Sequence, residues 1–305
     1  MTARTPTRPP TTMGARAGFT LLELLTVILI IAILIAVAFP AYNAVMRNTR
    51  IATARAEIAS LEGAIAEFKA EFNVEPPSYI SFVPGSGGLP PATKAILRQM
   101  FPQISFDAAL QTSLTQAGLW DRELGGSECL VFFLGGVRRT DGTGYTNELV
   151  GFSKNPANPF AQPTAGQQNR LGPFFEFDSG RLGEITRATA APLVIQAFNT
   201  DPAAFTGNPL AYADSLPGQT VPLLYVSTAG TGVYNASHVP ELASGPFAKS
   251  ATTYWNPNSY QLISPGFDGK YGAGGLYKQD DGSSPAVQAG GGDNLTNFTN
   301  GALEG

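Results

Sequence analysis

The stretch GARAGFTLLELLTVILIIAILIAVAFPAY, Gly14 to Tyr42, decides how the rest of the chain is read. From Phe19 to Ala41 every residue is apolar or small except Thr20, Glu23, Thr26 and Pro40, and only Glu23 carries a charge. These 23 residues would span about 34 Å as a helix, matching a hydrocarbon core of roughly 30 Å. Arg4, Arg8 and Arg16 precede the run with no acid before Glu23. By the positive-inside rule the N-terminus is therefore cytoplasmic, and everything after about Tyr42 lies outside.

An acid at membrane depth costs a few kcal/mol and asks for a partner. A secretory signal peptide has support from the A-x-A pattern at Ala36-Val37-Ala38, but the run exceeds the usual apolar region of roughly 7–15 residues. A plain anchor explains the length and not the glutamate. Cleavage between Gly18 and Phe19 would supply an α-amine, cationic at neutral pH because its reference pKa is about 8. That amine lies four residues before Glu23 on the same helical face, where it could neutralise the glutamate of its own or a neighbouring helix and set their register.

Gly18-Phe19-Thr20-Leu21-Leu22-Glu23 followed by an apolar run resembles the cleavage and methylation signal of type IV prepilins. It is equally similar to that of type II secretion pseudopilins, and together with Ser264–Gly269 and Asp293–Phe298 it resembles most the major pseudopilins (general secretion pathway protein G). The resemblance implies that residues 1–18 are a cytoplasmic leader, removed by a prepilin peptidase that also methylates Phe19. Residues 19–41 then remain as a transmembrane and assembly helix, with Glu23 and Pro40 as its assembly residues. Pro40 has no N–H for the Ala36 carbonyl, so a kink or local melting is expected near Ala36–Pro40.

The chain has 305 residues, a formal net charge of −4 and 14% charged residues, against roughly 25% in an ordinary soluble domain. Nothing suggests a basic nucleic-acid surface. Cys129 is the only cysteine, which excludes an intramolecular disulfide. With 34 glycines and 24 prolines, loops are many and must be held by other means.

Beyond Pro40, Ile58, Leu61, Ile65, Phe68 and Phe72 form one helical stripe, and Pro76-Pro77 ends the helix after Asn73. Residues 42–74 are thus an amphipathic stalk helix whose stripe receives a sheet. The resemblance implies that residues 75–305 form a periplasmic head. Short helices are expected at Ala92–Phe101 and Phe106–Ala117, and strands at Glu128–Leu134, Glu148–Phe152, Pro173–Phe177, Pro192–Phe198, Pro222–Ser227 and Ser259–Ser264. The fold class is α+β, type IV pilin-like: a long N-terminal helix packed on a C-terminal antiparallel sheet head with long loops. The head exceeds the usual size of a major pseudopilin, so residues 84–126 and 155–220 are expected to hold elaborations.

In the C-terminal region 260–298, Ser264-Pro-Gly-Phe-Asp268-Gly269 and Asp293-Asn294-Leu295-Thr296-Asn297-Phe298 are similar to the paired segments with which major pseudopilins bind calcium. The resemblance implies Ser264, Asp268, Asp293 and Asn294 as the calcium site. Calcium takes six to eight oxygens in irregular geometry, so carboxylates and glycine-freed carbonyls suit it. The 24 residues between Asp268 and Asp293 are more than the family uses, and Asp280 and Asp281 inside them compete as second ligands. The alternative is a solvated Gly/Asp turn.

Enzymatic readings are weak. His238 is the only histidine and has no G-x-S-x-G element to serve. Cys129 reads as a buried small hydrophobe, and Asp141-Gly-Thr-Gly144 as a turn. The expected function is structural: a homo-oligomeric pseudopilus at the inner membrane, partnered by minor pseudopilins, an assembly platform and the prepilin peptidase. A type IV pilin for adhesion, motility or DNA uptake is the alternative, and a membrane-tethered binding or enzymatic head a remote one.

Overall fold

The computed structural model describes residues 19–140, 144–164, 169–185, 195–196, 206–279, 284 and 287–303. The chain divides into two units, residues 1–49 and 50–305. The first unit contains the start of helix α1 (Leu21–Phe72). The large apolar side chains of this helix from Leu21 to Val45 are all exposed, as is Phe19 before it. The helix runs through Pro40. The expected local melting is not observed: a single forgone hydrogen bond does not break a helix of 52 residues whose neighbouring turns keep theirs.

In the second unit the later part of α1 buries Ile58, Leu61, Ile65, Phe68 and Phe72, the stripe expected from spacing, together with Ala54 and Ala64. Asn73 ends it in the left-handed region with φ 55°, and its N–H donates to the Lys69 carbonyl at 2.8 Å. β1 (Ile80–Ser81), α2 (Pro91–Met100), α3 (Ala108–Gln116), β2 (Glu123–Leu124) and α4 (Gly126–Gly135) follow. After them come β3 (Arg138–Thr140), β4 (Tyr145–Leu149), β5 (Phe152–Ser153), β6 (Arg170–Leu171), β7 (Leu182–Ile185), β8 (Ile195–Gln196) and β9 (Leu210–Tyr212). The last strands are β10 (Leu224–Ser227), β11 (Ala248–Ser250), β12 (Thr253–Tyr254), β13 (Tyr260–Ser264) and β14 (Leu295–Thr296).

All strand pairs among the described residues are antiparallel. β7 lies between β8 and β9, and β13 between β10 and β14. The other strands pair in twos, β1 with β2, β3 with β4, β5 with β6 and β11 with β12. The chain is therefore α+β, a long N-terminal helix followed by small antiparallel sheets, consistent with a pilin-like fold.

Two expected strands are not strands. Glu128–Leu134 is the body of α4, every residue of which is buried. The Glu128 carboxylate accepts the Gly125 N–H at 2.7 Å and the Cys129 N–H reaches the Gly125 carbonyl at 2.8 Å, closing the first turn. α4 packs on β9 and β10, and its Phe133 meets Phe68 of α1 with ring centroids 5.9 Å apart. Pro173–Phe177 is irregular because its backbone completes α4: the N–H groups of Phe174 and Phe175 both donate to the Leu134 carbonyl, at 2.7 and 3.3 Å.

The expected strand Glu148–Phe152 is split at Gly151, which turns the chain with φ 66° between β4 and β5. Of Pro192–Phe198 only Ile195–Gln196 is described, and it is β8. α2, α3, β10 and β13 fall where the sequence put them, α3 with Asp107 Oδ1 accepting the Leu110 N–H at 3.0 Å as its cap.

Candidate functional site

Gly18 lies outside the described residues, so the expected cleavage junction is seen only from Phe19 onward. Phe19 is 82% exposed. Thr20 caps α1: its N–H and its Oγ1 each donate to Glu23 Oε2 at 2.8 Å, and the Glu23 N–H donates to Thr20 Oγ1 at 3.2 Å. This is a reciprocal capping box. Its T-x-x-E signature before an apolar run is legible in the sequence, and charge reasoning alone passed over it. Both bonds to the carboxylate fall on Oε2, so Oε1 keeps acceptor capacity for a cation.

The C-terminal loop brings its two named acids together. Asp293 Oδ2 accepts the backbone N–H groups of Phe267 and Asp268, at 2.6 and 3.2 Å. Gly266, at φ 67°, lies so close to Asp293 Oδ1 that a Cβ there would clash with it. Asp268 Oδ1 accepts the Lys270 N–H at 2.9 Å, and a Cβ on Gly290 would lie 3.2 Å from its Oδ2. The Asp268 carboxyl is held above its ordinary value by partial burial against the loop and further by the charge of Asp293, against the pull of the Lys270 N–H.

Asn294 is fully buried; its Nδ2 donates to the Tyr271 carbonyl at 2.8 Å, while its Oδ1 has no hydrogen-bond partner. A buried acceptor without a partner is the donor chemistry a hard cation satisfies. Among the described residues no group of three or more His, Cys, Asp or Glu side chains is placed to hold a metal. Further ligands would have to be amide, carbonyl or water oxygens. Asp280 and Asp281 lie outside the described residues.

Ser264 is fully buried and differently engaged: its hydroxyl donates to Asp214 Oδ2, and its Oγ accepts the Gly266 N–H at 3.2 Å. Asp214 had no motif to announce it. It is 2% exposed and its Oδ1 accepts the Leu216 N–H at 2.9 Å. Burial pushes its carboxyl up to about 6, against the hydrogen bonds from Ser264 and Leu216.

His238 sits on a 3-10 turn, Ala236–His238, its ring stacked on Tyr79 at 4.9 Å. Burial lowers its pKa. Cys129 is fully buried in α4, and Asp141 to Thr143 of the turn motif lie outside the described residues.

Residues 13–39 match the family described as the prokaryotic N-terminal methylation motif. The match spans the Gly18–Phe19 junction and Glu23, and it supports the type IV prepilin-like class. No curated protein and no solved structure matches the chain. The motif implies processing by a prepilin peptidase and filament assembly in general. With one helix among the described residues, near the N-terminus, long and apolar enough to cross a membrane, the chain fits a membrane-anchored, single-pass, pilin-like protein.

Proposed function

We propose that this chain is a structural subunit of a type II secretion pseudopilus, not an enzyme. It is cut after Gly18, N-methylated at Phe19 and polymerised through α1 by an inner-membrane platform together with minor pseudopilins. The observation that carries the reading is the methylation motif at residues 13–39 on a helix whose large apolar side chains are exposed from Phe19 to Val45. Lipid covers such a surface before assembly, and copies of the same helix cover it afterwards. The head then faces the periplasm.

The C-terminal loop supports a pseudopilus over a type IV pilin, and the lone Cys129 leaves no disulfide to close that loop. A type IV pilin is the second reading, favoured by the 24 residues between Asp268 and Asp293, which depart from the pseudopilin pattern. Deletion of the gene decides between them. Loss of secreted proteins with surface fibres intact supports the pseudopilus; loss of surface fibres, motility or DNA uptake with secretion intact supports the pilin. Intact-mass measurement on membrane-extracted protein tests the processing, with N-methylated Phe19 expected as the first residue and a chain starting at Met1 or Phe39 counting against it.

The same reading assigns calcium to the C-terminal loop, held by Asp268, Asp293 and Asn294 Oδ1 with loop carbonyls. The ion would neutralise the carboxylate pair and cross-link two segments far apart in sequence. Ser264 contributes by anchoring the loop, through Asp214 and the Gly266 N–H.

A further inference from the structure

Two routes of contacts leave the Asp268–Asp293 pair, and both end on α1. On the first, Ser264 at the end of β13 holds Asp214 and the Gly266 N–H. Asp214 follows Ala213, whose carbonyl accepts from Arg181 Nη1 at 3.4 Å. Arg181 clamps Glu57 of α1 with Nη1 to Oε2 at 2.8 Å and Nη2 to Oε1 at 2.6 Å, a bidentate pair. Tyr212, one residue before Ala213, donates its hydroxyl to Glu57 Oε1 at 2.9 Å.

On the second route, Asp293 leads into β14, which is paired with Ile263 and Ser264 of β13. The segment ends at Asn297, whose Oδ1 accepts the Leu262 N–H at 3.0 Å. Its Nδ2 donates to Glu62 Oε1 of α1 at 3.1 Å. Glu57 and Glu62 flank the buried Ile58 and Leu61 on the helix.

We infer that the C-terminal loop is a clasp on α1, with Glu57 and Glu62 as its two holds and Asp214 and Asn297 as positioning residues, so that closing the carboxylate pair and seating the helix are linked. Such linkage is reciprocal: whatever closes the loop holds the helix, and a loosened helix weakens the loop's hold on its cation. The role of calcium here rests on the reading proposed above; the clasp itself does not.

The test uses the full chain in detergent micelles, with calcium titration by calorimetry and hydrogen exchange of backbone amides over residues 54–65. Exchange in α4, on neither route, serves as the internal reference for global unfolding. Calcium should slow exchange over 54–65 in the wild type. Glu62→Ala and, independently, Asn297→Ala should weaken calcium binding about threefold to tenfold, the worth of one or so net hydrogen bonds. Glu62→Gln keeps an acceptor for Asn297 Nδ2 and should restore most of the affinity.

If the wild type binds calcium while these variants bind it equally well and exchange over 54–65 does not respond, the clasp is overturned and the calcium reading stands. If the wild type binds no calcium, that reading falls and Asp293→Ala without metal decides the clasp. Losing the hold on the Phe267 and Asp268 N–H groups should then speed exchange over 54–65, and unchanged exchange there overturns the clasp.

Discussion

Glu23 shows how far a single side chain can be read from spacing. Its isolation in an apolar run singles it out, and its capping box with Thr20 is equally legible as T-x-x-E before that run, though charge reasoning alone does not look for it. Glu23→Leu should leave insertion intact or improved while abolishing register with the neighbouring amine. In-membrane crosslinking measures this, and undiminished fibres would count against the pairing. Asp214 was not legible at all, since nothing in A-Y-A-D-S-L distinguishes a buried acid from an exposed one. Its pKa is raised from 3.8 to about 6, so the fold favours the protonated form. Its stabilising contribution is full below about pH 4 and is lost as pH rises through about 6, on the order of 3 kcal/mol in all. Denaturant midpoints between pH 4 and 7.5, in chelator, should therefore fall more steeply for wild type than for Asp214→Asn. Parallel curves would show that Asp214 does not titrate in this window.

At the scale of elements, the sequence was clearest where a period is long. The stripe of α1 repeats over several turns, and α2 and α3 carry Pro at the first helical position and an Asp cap. E-C-L-V-F-F-L failed because a short, wholly apolar run has no polar face, and a buried helix and a buried strand then look alike. The deciding features were the flanking glycines. Gly126 lies against the Tyr225 carbonyl where no Cβ fits, and Gly136 turns out of the helix with φ 84°. Gly126→Ala must push α4 off β10 and should cost about 3 kcal/mol or more. A chemical-denaturation curve checks this, and a loss below about 1 kcal/mol would mean the backbone gives way easily. The short strands were missed because two-residue pairings leave no periodic pattern to find.

For the whole molecule, hydropathy sets the apolar run 19–41 apart, whereas the folded unit begins at residue 50, inside the same helix. The meeting of Asp268 with Asp293 was legible only through a resemblance, since 24 residues part them. Calcium at about 100 times its dissociation constant should raise head stability by about 2.7 kcal/mol. Melting the full chain in micelles with calcium, magnesium or chelator tests this, with no gain expected in Asp268→Ala or Asp293→Ala. An unchanged wild-type midpoint after verified metal removal would make the loop an ordinary turn. The lone thiol supplies a direct way to follow such experiments. Cys129 is fully enclosed on α4 and is the chain's only sulfhydryl, so a maleimide can reach it only when the head opens. Labelling kinetics of the unaltered protein, followed by a single mass increment, would then time the breathing of the head inside an assembled fibre, where optical melts cannot be read.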